Sequence, residues 1–245
     1  MVRLAAESTN KAKCPSIAEL QSKCRQEPLQ CWSFFSFRGK RGLSSAAAKS
    51  RFARRSPDRS TRRGLNFITM ILVLYAHPYP QHSRACKALL NAVSNLPDLE
   101  TRSLYDLYPD FDIDIAAEQA ALLRADTIVW LHPIYWYSVP SMLKHWFDVV
   151  LLRGWAYGNE GTALHGKQCL WAVSAGGDEQ SYSASGMHEQ PFENFVAPIE
   201  QTARFCGMKW HELVVVHGAH TVDDAQLAAM AEKFRTRLIE LGSQT

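Results

Sequence analysis

The chain has 245 residues, a length that suits one large domain or one ordinary domain with an extension. Its net charge of +3 joins two unlike parts: residues 1–69 carry 15 basic and 4 acidic side chains, whereas residues 70–245 carry 12 and 20. A hydrophobic content of 47% excludes a wholly disordered chain, and no apolar run approaches the roughly 18 residues of a membrane-spanning helix. The six cysteines form no CxxC pair, which argues against a zinc ribbon or disulfide scaffold and favours a reducing compartment.

Residues 1–69 form a basic leader that we expect to be mostly disordered. Between residues 38 and 63 it is rich in arginine and serine and lacks hydrophobic periodicity, so it buries too little apolar surface to offset its ordering entropy. Three interpretations stay open: an organelle transit peptide, a tail that binds nucleic acid or anionic lipid, and a wrongly assigned start of translation. Met70 directly precedes the first strand pattern, which favours the third interpretation and a compact domain over residues 70–245.

From Ile71 onward, short apolar runs alternate with stretches of helical periodicity, which predicts an α/β fold. Five strands alternating with five helices are typical of a doubly wound parallel sheet. The predicted strands are 71–76, 100–104, 126–133, 169–174 and 212–216, and the predicted helices are 85–96, 116–125, one that begins at Pro140, 191–206 and one that runs from Asp223 to about Leu241. Ligands of such sheets bind beyond the carboxyl ends of the strands, so the loops after strands one, three and four should form the site.

The loop after the first strand predicts an anion site. It contains neither GxGxxG nor GxxxxGK[ST], which excludes a dinucleotide fingerprint and a P-loop. Ser83 and the backbone N–H groups of Arg84, Ala85 and Cys86 open a helix whose positive end suits a phosphate, and the Arg84 side chain could add charge. The alternative is that Ser83 merely caps its helix.

The other two loops predict a stacking wall and a strip of backbone donors. Tyr135, Trp136 and Tyr137 are consecutive aromatic residues in a loop, where a planar ligand, a hydrophobic plug or a subunit interface would each explain them. After the fourth strand, glycines allow a ligand to approach the backbone closely, although an ordinary tight turn is the alternative. This strip comprises Ser174, Ala175, Gly176 and Gly177. Together the three loops describe a pocket for flavin mononucleotide (FMN).

Tyr182 and His188 are the candidate catalytic residues, since both could donate a proton or hydrogen bond to a substrate oxygen. The alternative is that they are solvated loop residues. The remaining histidines have no metal-ligand spacing: there is no HExxH, and His211, His217 and His220 are too loosely arranged to specify a site, so no metal is expected.

The body resembles the flavodoxin-like NAD(P)H:quinone oxidoreductases, and most of all the KefF-type ancillary subunits of the glutathione-regulated potassium-efflux system. The resemblance is carried by MILVLYAHPYPQHS at 70–83, SLYDLYPDFDIDIAAEQ at 103–119, RADTIVWLHPIYWYSVPSMLKHWFD at 124–148 and GWAYGNEGTALHGK at 154–167. It implies a flavodoxin-like sheet with strand order 2-1-3-4-5 and FMN as cofactor. The implied FMN ligands are His77, Ser83, Arg84, Ala85, Cys86, Ile134, Tyr135, Trp136, Tyr137, Ser174, Ala175, Gly176 and Gly177.

The resemblance also implies a homodimer bound peripherally to the cytoplasmic side of a bacterial inner membrane, where it activates a potassium-efflux antiporter. The segment SYSASGMHE, around Tyr182 and His188, is more similar to the quinone reductases, in which the matching residues line the substrate site. The expected reaction is ping-pong: NAD(P)H passes a hydride to the flavin, leaves, and is replaced by a quinone. The alternatives are a mainly regulatory flavin-binding subunit and an FMN-dependent azo or nitro reductase. The acidic body gives no reason to expect a nucleic-acid partner.

Overall fold

The computed structural model describes residues 69–243, which alternate between strands and helices. The strands are β1 (Ile71–Tyr75), β2 (Leu99–Ser103), β3 (Thr127–Pro133), β4 (Gln168–Ser174), β5 (Lys209–Trp210) and β6 (Val214–Val216). The α-helices are α1 (Ala85–Val93), α2 (Leu104–Leu107), α3 (Ile115–Arg124), α4 (Ser141–Val150), α5 (Ala197–Phe205) and α6 (Asp224–Ser243), and Pro80–His82 and Phe192–Phe195 form 3-10 turns. The expectation of a disordered leader lies outside the described residues.

The sheet is parallel throughout and has the order β2-β1-β3-β4-β5, which confirms the predicted topology. The predicted fifth strand over 212–216 is shorter in the structure, where only β6 (Val214–Val216) lies within it, and β5 (Lys209–Trp210) was not predicted. β5 pairs with the start of β4 and β6 pairs with its end; His211 N still donates to the Cys169 carbonyl of β4, and the pairing is interrupted after it. The strand pattern is weak here because His211 and Glu212 are polar, and the His211 ring instead lies with Nε2 2.5 Å from Gln168 Oε1. The part of the chain that the structure describes therefore has six strands at five positions.

Side chains along the central strands alternate between two buried layers, as the two-residue period of a strand requires. In β1, Leu72 and Leu74 face the layer that α3, α4 and α5 cover, whereas Val73 and Tyr75 face the layer beneath α1 and α6. Every residue of β1, β3 and β4 is buried. Because both faces are covered, these strands read as continuous apolar runs, and that is why they were predictable.

One carboxylate lies fully buried in the first of these layers. Glu118 of α3 accepts hydrogen bonds from Arg102 Nε at 2.7 Å, from the Tyr108 hydroxyl at 2.6 Å and from Trp146 Nε1 at 2.9 Å. Burying a charge is costly unless it is paired and hydrogen-bonded, and here both conditions are met. The cluster joins β2, α3 and α4, and α4 is the helix that follows the aromatic loop.

Three helix starts differ from the sequence prediction. Arg84, not Ser83, is the N-cap residue of α1, and no side chain caps that helix. Pro140 precedes α4 as its N-cap residue instead of lying in the first turn. The helix predicted over residues 191–206 is a 3-10 turn followed by α5, with Val196 between them. At α6 the prediction holds, because Asp223 Oδ1 accepts from Gln226 N at 2.8 Å.

Candidate functional site

A cavity of about 290 Å³ opens at the carboxyl end of the sheet, between the loops that follow β1, β3 and β4. β1 and β3 are neighbours whose onward connections run in opposite directions, so the cavity lies at the point where strand order reverses. It is lined by His77, Tyr79, His82, Ser83, Arg84, Ala85, Pro133, Ile134, Tyr135, Ser174, Gly176, Ala219 and His220. The three loops chosen from the sequence thus meet at one place.

Ser83 supplies a buried hydroxyl that makes no hydrogen bond of regular geometry within the described protein, although it lowers the pKa values of the neighbouring Tyr75 and Cys86. The residue is only 5% exposed, and its hydroxyl has no hydrogen-bond partner among residues 69–243. Beside it, the backbone N–H groups in the first turn of α1 have no intrahelical acceptor. This rules out the interpretation of Ser83 as a simple helix cap. An unpartnered buried hydroxyl next to free N–H groups is a donor set that fits a phosphate.

The side chains of Arg84 and Cys86, in the same loop, have partners outside the cavity. Arg84 Nη1 donates to the Val222 carbonyl and Nη2 to Asp224 Oδ1, each at 2.6 Å. The guanidinium is thus paired with the start of α6, and the expectation that its charge adds to the anion site stays a prediction. Cys86 Sγ lies 3.2 Å from Ser174 Oγ, and burial raises the pKa of the thiol to about 11. Cys86 is left with its backbone N–H as the group it can offer.

Three imidazoles surround the opening of the cavity, and two of them were missed from the sequence. His77 Nδ1 accepts from Tyr79 N at 3.1 Å, which leaves the proton on Nε2. Burial lowers the pKa of His77, and the neighbouring charge of His82 lowers it further, so His77 favours the neutral form. His82 lies in the first loop but was not predicted to be a site residue. His220 lies 44 residues beyond Gly176, and no local pattern connects the two.

The aromatic loop is a tight turn in an uncommon backbone conformation. Tyr135 and Ser138 exchange backbone hydrogen bonds of 3.1 and 3.0 Å, and the central residues Trp136 and Tyr137 have φ values of 49° and 61°. Positive φ at both central positions defines a type I′ turn, which strongly prefers Asn-Gly. Trp136 is 92% exposed, which excludes the hydrophobic-plug interpretation for this side chain. Tyr135 lines the cavity, whereas Trp136 stands outside it.

Gly177 is packed beneath the two candidate catalytic rings. A Cβ atom there would lie 3.0 Å from His188 Nε2 and 3.1 Å from Tyr182 Cε2, so a larger residue would displace one of the rings. Tyr182 and His188 stack with centroids 4.3 Å apart, and the Tyr137 hydroxyl lies 3.4 Å from His188 Nδ1. Burial raises the pKa of Tyr182, which keeps its hydroxyl protonated as a donor. The structure thus groups three proton-bearing side chains next to Gly177, although none of the three lines the cavity itself.

Other titratable residues take structural roles. His132 is fully buried, with Nδ1 2.9 Å from the Pro133 carbonyl and Nε2 accepting from Trp171 Nε1 at 2.6 Å. Burial lowers its pKa to about 4, so it stays neutral. Within residues 69–243, no group of three His, Cys, Asp or Glu side chains could hold a metal ion. The same part of the chain has no helix that is long and apolar enough to cross a membrane.

Comparison with known proteins places the chain in a family. The family described as "flavodoxin-like fold" matches residues 69–238. The glutathione-regulated potassium-efflux system ancillary protein KefF of Klebsiella aerogenes is 51% identical over 171 residues, which cover 70% of this chain and 96% of that protein. The KefF of Salmonella typhimurium is 52% identical over 170 residues, which cover 69% and 96%.

Solved structures agree with this assignment. General stress protein 14 from Treponema denticola, in complex with FMN, is 34% identical with a TM-score of 0.66 and covers 70% of this chain and 99% of its own. A thermophilic tryptophan halogenase from Streptomycin violaceusniger is 39% identical with a TM-score of 0.66 and covers 69% and 98%. An NADPH-quinone reductase from P. pentosaceus is 25% identical with a TM-score of 0.63 and covers 69% and 97%. The chain belongs to the family with the flavodoxin-like fold, and its sequence is similar to those of the KefF ancillary subunits.

Proposed function

We propose that the cavity holds FMN and that the protein reduces quinones with electrons from NAD(P)H. The observation that carries this proposal is the buried hydroxyl of Ser83, which has no partner in the described protein and lies beside the free N–H groups of α1. A complex of the Treponema relative with FMN supports the cofactor, and the P. pentosaceus reductase supports the reaction. The flavin in such a site accepts a hydride from a nicotinamide and passes two electrons to the acceptor.

Different residues around the cavity would bind different parts of the cofactor. Ser83 Oγ and the N–H groups of Ala85 and Cys86 would bind the phosphate. The backbone of Ser174, Ala175, Gly176 and Gly177 would approach the ring system, where fixed N–H donors stabilise negative charge. His77, Ile134, Tyr135, Trp136 and Tyr137 would form the remaining walls. Because Trp136 is exposed in a strained turn, a planar group that stacks on it would cover apolar surface that otherwise faces water.

Tyr182 and His188 would act on the quinone. A quinone that accepts two electrons also needs protons on its oxygens, and a Tyr hydroxyl and an imidazole are suited to donate them near neutral pH. The Tyr137 hydroxyl near His188 Nδ1 would fix the ring orientation and leave Nε2 directed towards Gly177. The stacked pair would also exclude water from one side of the substrate.

Flavin extraction and turnover test the proposal. The purified full chain should release FMN on denaturation and should oxidise NAD(P)H only when a quinone is added. His188→Gln and Tyr182→Phe should lower turnover while FMN content stays unchanged. His165→Asn, an exposed histidine at the opposite end of β4, is the matched control and should change neither quantity. Protein that binds no FMN, or NAD(P)H oxidation with azo or nitro compounds but not quinones, would contradict the proposal.

A regulatory role on a potassium-efflux antiporter is a second candidate, and the 51% identity to KefF favours it. In this proposal a homodimer binds the antiporter at the cytoplasmic side of the inner membrane. Potassium efflux from cells that carry the antiporter should rise when the chain is co-expressed. If His188→Gln keeps this stimulation, regulation is separate from turnover, and if the wild-type chain gives none, the regulatory candidate is wrong.

A further inference from the structure

His217, the residue directly after β6, is left without a role by the proposed function. Its half-buried ring packs against the rings of Tyr182 and Phe192, with centroids 5.4 and 5.2 Å away. Its Nδ1 atom is buried and makes no hydrogen bond of regular geometry within residues 69–243. Burial lowers the pKa of His217, although the carboxylates around it and the Gly177 carbonyl favour the protonated form, so the ring favours the neutral form against Tyr182.

Packing alone does not explain a nitrogen atom at this position. Phe192 and Phe195 also contact the Tyr182 ring, with centroids 5.1 and 6.1 Å away, so apolar rings suit this cluster. A buried polar atom without a regular partner is costly, whereas a phenyl ring would fill similar space without that cost. The imidazole of His217 therefore weakens the contact that covers it, because water could hydrogen-bond to Nδ1 once Tyr182 moved away.

Tyr182 belongs to a loop, residues 178–189, that contains no helix or strand and is held together by its own hydrogen bonds. Ser181 N donates to Asp178 Oδ1 at 2.8 Å, and His188 N donates to the Ser181 carbonyl at 3.0 Å. Because these bonds begin and end inside the loop, they do not fasten it to the sheet.

The loop is joined to the rest of the described chain mainly by ring contacts. Its one hydrogen bond to a residue outside the loop, among residues 69–243, joins His188 Nδ1 to the Tyr137 hydroxyl at a long 3.4 Å. A Cβ atom on Gly177 would lie 3.0 Å from His188 Nε2 and 3.1 Å from Tyr182 Cε2, so the two rings fill the space next to Gly177. A substrate that is to meet both rings needs this space, and few polar bonds oppose the movement that would free it.

We propose that residues 178–189 form a lid that carries Tyr182 and His188. His217 is the positioning residue on which this lid closes, and its unpaired nitrogen keeps the closed form from becoming too stable to open. The inference rests on the proposed function and deepens it, because a ping-pong reaction admits NAD(P)H and the quinone in turn at one place. Each exchange of substrate requires an open lid, so a closed lid that was too stable would slow both half-reactions.

Relaxation-dispersion NMR of the full chain as purified measures the opening of the lid directly. In wild-type protein the amides of residues 178–189 should show conformational exchange with a minor open form. His217→Phe keeps a ring against Tyr182 but removes the unpaired nitrogen, so the open population should fall at least about fivefold. His217→Ala removes the ring as well, and the open population should rise. His165→Phe, at an exposed histidine before the start of β4, is the matched control and should leave the open population unchanged.

Rapid kinetics of the two half-reactions distinguish a lid residue from a residue that only supports the fold. In His217→Phe at low substrate concentration, reduction by NAD(P)H and reoxidation by quinone should slow by the factor by which the open population falls, because only an open lid admits either substrate. The FMN content should stay unchanged. No conformational exchange in the lid of wild-type protein, or an open population that fails to fall in His217→Phe or to rise in His217→Ala, would overturn the proposal. If instead the proposed function is wrong, the half-reactions will be absent, whereas the motion of the lid and its response to both variants will remain.

Discussion

Replacing Ser83 with alanine should stabilise the flavin-free protein against unfolding and, at the same time, weaken the binding of FMN. In the described protein the Ser83 hydroxyl is buried and lacks a hydrogen-bond partner, and so does the hydroxyl of Tyr75, a neighbouring residue of β1. The Ser83 hydroxyl partly offsets the rise that burial causes in the pKa of Tyr75, but the two groups do not meet with hydrogen-bonding geometry. The flavin-free protein therefore carries an unsatisfied polar group that FMN would satisfy.

The size of each effect follows from this arrangement. A buried polar group without a partner costs about 1–3 kcal/mol, so removing the hydroxyl should raise the free energy of unfolding of the flavin-free protein by up to that amount. For a domain of this size, each kcal/mol corresponds to about 2–4 °C in Tm. A hydrogen bond to a charged group contributes about 1.5–3 kcal/mol, so Ser83→Ala should weaken FMN binding roughly 10- to 150-fold.

Thermal unfolding of the flavin-free protein and an FMN titration would measure both effects on one preparation. Ser94→Ala is the matched control, because the exposed Ser94 hydroxyl donates to the Asn91 carbonyl at the end of α1, far from the cavity. That variant should lose a few tenths of a kcal/mol at most and bind FMN normally. A lower Tm for flavin-free Ser83→Ala together with unchanged FMN affinity would refute the reasoning, because the hydroxyl would then serve the fold and not a ligand.

Three further predictions follow from the backbone, the buried carboxylate and the buried histidine. Trp136→Asn should raise the free energy of unfolding by about 1 kcal/mol, because Asn tolerates the positive φ at this exposed position. The same variant should bind FMN more weakly. A lower free energy of unfolding in chemical denaturation would contradict this prediction. Glu118→Gln should lower the free energy of unfolding by about 1.5–3 kcal/mol, because Arg102 then loses its buried charged partner and keeps only Glu100 at 3.2 Å, whereas no change in urea unfolding would contradict it. For His132, the pKa is about 4 in the folded protein and 6.5 in the unfolded protein. Between these pH values the imidazole is protonated only in the unfolded state, so the free energy of unfolding decreases as pH falls from 6.5 to 4, by up to about 3 kcal/mol. His132→Gln should have a shallower decline from pH 7 to 4 than wild-type protein, and identical slopes would show that His132 is not the cause.

The sequence predicted the parts of the fold that depend on local pattern. β1, β3 and β4 are buried on both faces, so each is a continuous apolar run with a visible end. The carboxyl ends of these three strands also indicated which three loops would form the site. The outer strand position was harder, since Glu212 and its neighbours interrupt the pattern and divide it into β5 and β6.

The remaining features depend on contacts between distant parts of the chain. The pairing of Arg84 with Asp224 joins two helix starts that are 140 residues apart, so local charge alone could not predict it. His220 reaches the cavity through backbone bonds from its loop to Gly177 and Ala175, for which the sequence has no signal. The turn at Trp136 contradicts the usual Asn-Gly preference and therefore could not be predicted from propensity.

Anaerobic half-reactions of the purified full chain would test the central claim most directly. One equivalent of NAD(P)H should bleach the visible absorbance of FMN bound at a ratio near one per chain, and one equivalent of a quinone should restore it, with release of the oxidised nicotinamide before the quinone reacts. Protein that holds no FMN, or bound FMN that NAD(P)H bleaches and quinone leaves bleached, would contradict the account of this site as that of a quinone reductase.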